Sequence, residues 1–313
     1  MNKVTKSYLD VSYDLRPAKQ VERRMIIDVL MKLSIVGFPI NEYQYSGMGS
    51  IFFVDHIMFH KYLGIDNLLS VEHDHTIEKR VEFNRPYKNV EIRMGSIGDV
   101  IPNLNRDYKH LLWLDYDFIL NENILNDIIL AIHRLSPGSI ILITVDIDNR
   151  LKEDPKDWMG YLEGQAGRYF DLGWTVSDFS PSKLASTNST IIKNAIQNGL
   201  SGRENILYRN LFKFRYSDGH KMLTIGGMVC TQTEERSLKG AGLENINFVR
   251  DSITSDAFQI HVPTLTRKER LYLDKQMPCE DDWTPEPFEL DHDYVLDYRD
   301  IYRYYPVYAE LVL

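Results

Sequence analysis

Residues Tyr43 to Asp55 read YQYSGMGSIFFVD. Tyr43 and Tyr45 favour a strand. Gly47 and Gly49 make a turn with no Cβ on either side of Met48. From Ser50 the apolar positions Ile51, Phe52, Val54, Ile57, Met58 and Phe59 take up helical spacing. A strand, a Gly-x-Gly turn and a helix start bring backbone N–H groups and the positive end of a helix dipole to one place. Two glycines also make an ordinary turn, so the downstream chain has to decide between the two.

It continues as short apolar runs, each closed by a polar or small residue. NLLSVE (67 to 72) ends on Glu72, about 20 residues after the glycines, the spacing at which a second strand offers an acid to a ribose. Val90 to Met94 is closed by Gly95, LLWL (111 to 114) by Asp115, and SIILITV (139 to 145) by Asp146. Helical segments separate these runs. Alternating strands and helices predict a parallel sheet with its site along the carboxyl edge. Two further runs, 206 to 216 and 221 to 231, flank Ser217-Asp218-Gly219-His220, a turn sequence that predicts a final antiparallel hairpin. Gly226-Gly227 in the last strand predicts a bulge or a close approach.

This order resembles the class I S-adenosylmethionine-dependent methyltransferases over roughly residues 41 to 150 and again over 206 to 232. The resemblance implies an α/β fold with a Rossmann-like, seven-stranded sheet ending in an antiparallel hairpin. It implies S-adenosylmethionine as cofactor, with Gly47, Met48, Gly49 and Ser50 at its methionine part, Glu72 at the ribose, Ser96 and Ile97 beside the adenine, and Asp115 facing the methyl group. Tyr45 stands where the family carries an acid, two residues before the first glycine, and is expected among the cofactor-binding residues; Ile51 replaces the third glycine. The LDYD run at 114 to 117 also resembles the metal-dependent O-methyltransferases, in which an Asp-Asn pair completes a magnesium site. Here Asp148-Asn149 falls two residues late, so no metal site is assigned and Mg²⁺ is not favoured.

The residues add candidates of their own. A carboxylate at the buried end of a central strand is costly without a partner, which marks Asp115 and Asp117 as a general base or as loop caps. RPAKQVERRMIIDVLMKLSIV (16 to 36) predicts a helix with Pro17 in its first turn. Its basic start runs against the helix dipole. Arg16 and Lys19 therefore suggest a grip on an anionic part of the acceptor.

The organisation expected is an N-terminal arm and helix (1–40), a cofactor-binding core (41–150), an insertion that caps the substrate (151–205), the hairpin (206–232) and a C-terminal extension (233–313). With 313 residues, 43% of them hydrophobic, the chain can bury one large α/β core with an appendage. A net charge of −9 argues against bulk duplex nucleic acid as partner and leaves a small-molecule or nucleotide-like acceptor. No apolar run is long enough for a membrane span. Two distant cysteines suit the cytoplasm, and the Tyr-rich C-terminus leaves a homodimer open. The leading expectation is a methyltransferase directed at oxygen. The alternatives are a cofactor-binding sensor without catalysis, which Tyr45 favours, and an NAD(P)-dependent oxidoreductase, which the hairpin disfavours.

Overall fold

Most of the apolar runs form strands that are buried on both faces, and this dictates two cores. In the computed structural model, which describes residues 16–49, 51–148, 152 and 154–306, eight strands form one sheet in the order β3-β2-β1-β4-β5-β7-β6-β8. They are β1 (Gln44–Met48), β2 (Asn67–Glu72), β3 (Val90–Met94), β4 (His110–Ile119), β5 (Ile140–Asp146), β6 (Ile206–Ser217), β7 (Lys221–Thr231) and β8 (Phe258–Ile260). The first five run parallel, and β7 lies antiparallel to both β5 and β6. Successive side chains alternate between faces. Leu111, Trp113, Ile140 and Leu142 pack on one side with the helices Pro17–Ile35 and Val54–Leu63. Leu112, Leu114, Ile141 and Ile143 pack on the other with Glu122–Arg134 and Leu184–Leu200.

The eighth strand comes from the C-terminal extension. It pairs parallel to β6, with Phe258 opposite Phe214. At three residues it is too short to show a period in the sequence. Phe248 joins it, its ring 6.1 Å from Phe214 and 6.0 Å from Phe258. Tyr304 then reaches back to donate its hydroxyl to Asp28 in the first helix, at 2.9 Å. The two ends of the described chain thus meet on one face.

One local expectation changes. The helix after the glycines begins at Val54 rather than at Ser50, because Phe53 adopts φ 51°, a left-handed conformation uncommon for a bulky residue. Within 151 to 205, the polar run LASTNST is part of the 17-residue helix Leu184–Leu200. Its short polar groups turn inward onto the helix backbone: Asn188 donates to the Leu184 carbonyl at 2.9 Å and Ser189 to that of Ala185 at 2.6 Å. A Cβ on Gly199 would lie 2.7 Å from Ile132 Cβ, so glycine is what lets this helix approach Glu122–Arg134 so closely. Residues of this insertion therefore build the second core. Among the described residues no helix is long and apolar enough to cross a membrane.

Candidate active site

The glycine turn, Glu72, the loop at Gly95 and Asp146 lie at the carboxyl ends of the parallel strands, and Asp115 lies in β4 two residues past its last pairing with β1 at Trp113, because β4 continues to Ile119. Gly47 stands opposite Ser70 of β2 and Trp113 of β4. Gly49 donates its N–H to the Val71 carbonyl. A Cβ on Gly49 would lie 2.9 Å from both Ser70 Oγ and the Val71 oxygen, and 3.2 Å from Glu72 Cβ. A side chain there would fill the space that lets the turn pass beside Glu72. Ser50 lies outside the described residues.

Tyr45 points away from this edge. It is 1% exposed, with its ring 4.9 Å from His56 and 4.7 Å from Phe59 in the helix-side core. Burial, then the nearby Asp55 and Asp115, push its phenol well above the usual range. Its ring also explains Gly47, because a Cβ at that position would sit 2.2 Å from the Tyr45 hydroxyl.

Glu72 is buried at the end of β2. Its Oε1 accepts the Asp74 N–H at 2.8 Å, and burial pushes its carboxyl above the usual range. Its carbonyl accepts the Gly95 N–H at 2.8 Å, and Gly95 has φ +142°, which an L side chain rarely adopts. Ser96 is exposed and caps the next turn: its Oγ accepts the Asp99 N–H at 3.2 Å and donates to Asp99 Oδ2 at 2.7 Å. Asp99 is thereby tied to a cap. The Ile97 side chain is buried in the core, so this residue offers only main chain to the edge.

A group of ionisable side chains lies over the end of β4. Lys19 is 2% exposed, and its Nζ donates to Asp115 Oδ1 at 2.8 Å and to the Tyr216 hydroxyl at 3.1 Å. The same Nζ lies 3.0 Å from Glu22 Oε2 and 4.2 Å from the centre of the Trp113 ring. Burial opposes charge on Lys19, yet Asp115 and Glu22 outweigh it and hold the ammonium above the usual range. Arg23 Nε donates to Asp55 Oδ1 at 2.5 Å. Burial opposes ionisation of Asp55, but Arg23 draws it below the usual range. Glu22 is wholly buried, and that burial pushes its carboxyl up. Arg16 lies 3.9 Å from the half-exposed Asp117.

The end of β5 meets the hairpin turn. Asp146 is 3% exposed; its Oδ1 accepts the Asp148 N–H at 2.7 Å and its Oδ2 lies 2.8 Å from His220 Nδ1. Asp148 Oδ2 accepts the Lys221 N–H at 3.3 Å. Among the described residues no group of three or more His, Cys, Asp and Glu side chains is placed to hold a metal ion, and Asn149 lies outside those residues.

Of the residues singled out in the sequence, Lys19 and Asp115 are brought into contact, Arg16 and Asp117 face each other, and Gly49 lies beside Glu72. Glu22, Asp55, Tyr216 and His220 were not singled out, and Asp146 was named only as the residue that closes its run. Glu22 lies three residues from Lys19, but Asp55, Tyr216 and His220 find their partners far away in the chain.

The strand order, with its reversed seventh strand and the glycine turn and acids along the carboxyl edge, defines a class I methyltransferase fold. The chain belongs to the family described as "Putative O-methyltransferase", which it matches over residues 11–313. Among solved structures it is similar to the O-methyltransferase from Bacillus cereus in complex with SAH, at 12% identity and a TM-score of 0.39, over 71% of this chain and 86% of that one. It is also similar to the O-methyltransferase TomG from Streptomyces achromogenes, involved in tomaymycin synthesis and solved with SAM, at 14% identity and a TM-score of 0.36, over 72% and 93%. No curated protein matches the chain.

Proposed function

We propose that this chain transfers a methyl group from S-adenosylmethionine to an oxygen of a small-molecule or nucleotide-like acceptor. The observation that carries the proposal is the pairing of Gly49 with Glu72 at adjacent strand ends, where a Cβ on the glycine would touch the Glu72 side chain. The main chain of Gly47, Met48 and Gly49, with Ser50 next in the chain, holds the methionine part. The Glu72 carboxylate accepts from the ribose hydroxyls, since one carboxylate can take a hydrogen bond from each of two vicinal groups. Ser96 and the Ile97 main chain border the adenine. When bound, the cofactor supplies an activated methyl group on a sulfonium. Asp115, fixed by Lys19, would face that group, and Arg16 and Asp117 would flank the acceptor side. The net charge of −9 supports a small acceptor rather than duplex nucleic acid.

Thermal-shift measurements with S-adenosylmethionine, S-adenosylhomocysteine, NAD and NADP test this. Stabilisation by the first two alone is expected, and stabilisation by the nicotinamide cofactors alone would overturn it. A second reading, a cofactor-binding sensor, draws on the burial of Tyr45 in place of the family's acid. Binding without transfer to any oxygen nucleophile would favour that second reading.

A further inference from the structure

The β6–β7 turn sits at the carboxyl edge, because β7 starts there and runs back along β5, with Met222 opposite Asp146. The turn is anchored without His220: Asp218 binds the first helix, and Gly219 supplies φ +102°. His220 is nevertheless held by Asp146, whose other oxygen is taken by the Asp148 N–H. Burial pushes the Asp146 carboxyl up, while its hydrogen bonds from Asp148 and His220 favour the carboxylate; with that carboxylate as the acceptor, Nδ1 would carry the proton and Nε2 would keep its lone pair. That nitrogen makes no hydrogen bond to the described residues, and the side chain is 58% exposed. The charged group in contact with the ring is Asp146; Asp148 accepts the N–H of Lys221, the next residue in the chain, and Asp218, two residues before His220, binds the first helix.

We propose that His220 is the general base of the transfer, that Asp146 is its positioning residue, and that the acceptor is a hydroxyl compound. The proposal rests on the methyl-transfer reading above and deepens it. A buried carboxylate that fixes one ring nitrogen of a histidine orients the other for proton abstraction. Asp115 is less suited to that role, because Lys19 Nζ already occupies its Oδ1 at 2.8 Å. The end of β5 also lies beside the tail of β4, with Ile119 opposite Asp146, so the base stands next to the strand that carries Asp115 and Asp117. In the step, the acceptor O–H bond breaks and its proton passes to Nε2. The oxygen's electron pair forms the new bond to the methyl carbon. The electrons of the broken carbon–sulfur bond stay on sulfur, which goes from sulfonium to thioether. An alcohol or phenol needs such a base, whereas a carboxylate acceptor is already ionised.

The first measurement needs no acceptor. In protein with ¹⁵N-labelled histidine, the neutral His220 ring is expected to carry its proton on Nδ1, and Asp146→Asn is expected to weaken that preference. A neutral ring protonated mainly on Nε2 in the wild type would overturn the proposal. The second uses catechol as the hydroxyl probe under single turnover. His220→Gln is expected to slow transfer by about 100- to 10,000-fold, with S-adenosylhomocysteine affinity unchanged, and an unchanged rate would overturn the proposal. The tautomer decides the matter whether or not catechol is turned over. Failure of the wild type to bind S-adenosylhomocysteine would overturn the methyl-transfer reading instead.

Discussion

Asp218, in the turn of the terminal hairpin, binds the start of the first helix through two backbone amides: Ala18 N–H at 3.1 Å and Lys19 N–H at 2.8 Å. The two residues Asp218 and Lys19 lie 199 positions apart. This contact resolves the oddity of a helix that starts with basic residues. The carboxylate comes from another element and meets both the free N–H groups and the dipole.

Removing that cap is expected to loosen the helix start. An Asp-to-Ala change at a helix cap costs about 1 kcal/mol, and Asp218→Ala is expected to lower stability by a similar amount in urea unfolding. Asp218→Asn keeps an acceptor and is expected to lose less. Equal losses for the two changes would show that the turn, not the hydrogen bonds, sets the effect.

The buried charges over β4 are expected to respond unequally. Lys19→Met strands Asp115 without its cation, and breaking a buried pair in this way costs about 3–5 kcal/mol. Glu22→Gln replaces a carboxyl already biased toward its neutral form by burial. That change is expected to cost no more than about 1 kcal/mol. Denaturant midpoints at unchanged slope measure both. A larger loss for Glu22→Gln than for Lys19→Met would mean that Glu22 is the charged partner.

Asp55 sets a pH dependence of definite sign. Arg23 holds its folded carboxyl below the unfolded value of about 3.9. Its contribution is therefore present above that value and is lost as pH falls through the lower folded value. The stability gap between wild type and Asp55→Asn is expected to be constant near neutrality and to close only in strong acid. A gap that closes on raising the pH instead would contradict the pairing.

The strands and the acids at their ends were legible because each rests on local spacing: apolar runs of period two or continuous burial, each with its closing residue. The hairpin was legible for the same reason, down to Gly226, where a Cβ would sit 2.4 Å from Leu142 Cδ2. Contacts across the sheet were not. Lys19 meets Asp115 and Tyr216 at separations of 96 and 197 residues, and no local pattern pairs them. Tyr45 read as a cofactor-binding residue ahead of the glycine turn, yet strand alternation turns its ring to the helix side. In LASTNST, Ser, Thr and Asn favour turns in general, and the burial of Leu184, Ala185, Thr187, Asn188 and Ser189 overrides that tendency.

Glu72 gives the central claim its most direct test, by titration of wild type, Glu72→Gln and Glu72→Ala with S-adenosylhomocysteine. Hydrogen bonds to a charged group contribute about 1.5–3 kcal/mol each. Losing those to a ribose is expected to weaken binding by roughly 100-fold in Glu72→Ala, and by less in Glu72→Gln, which keeps one acceptor oxygen. The melting temperature is expected to hold, because the carboxyl pays a burial cost that its removal relieves. Unchanged affinity in Glu72→Ala, with the fold intact, would contradict the assignment of Gly49 and Glu72 to one ligand.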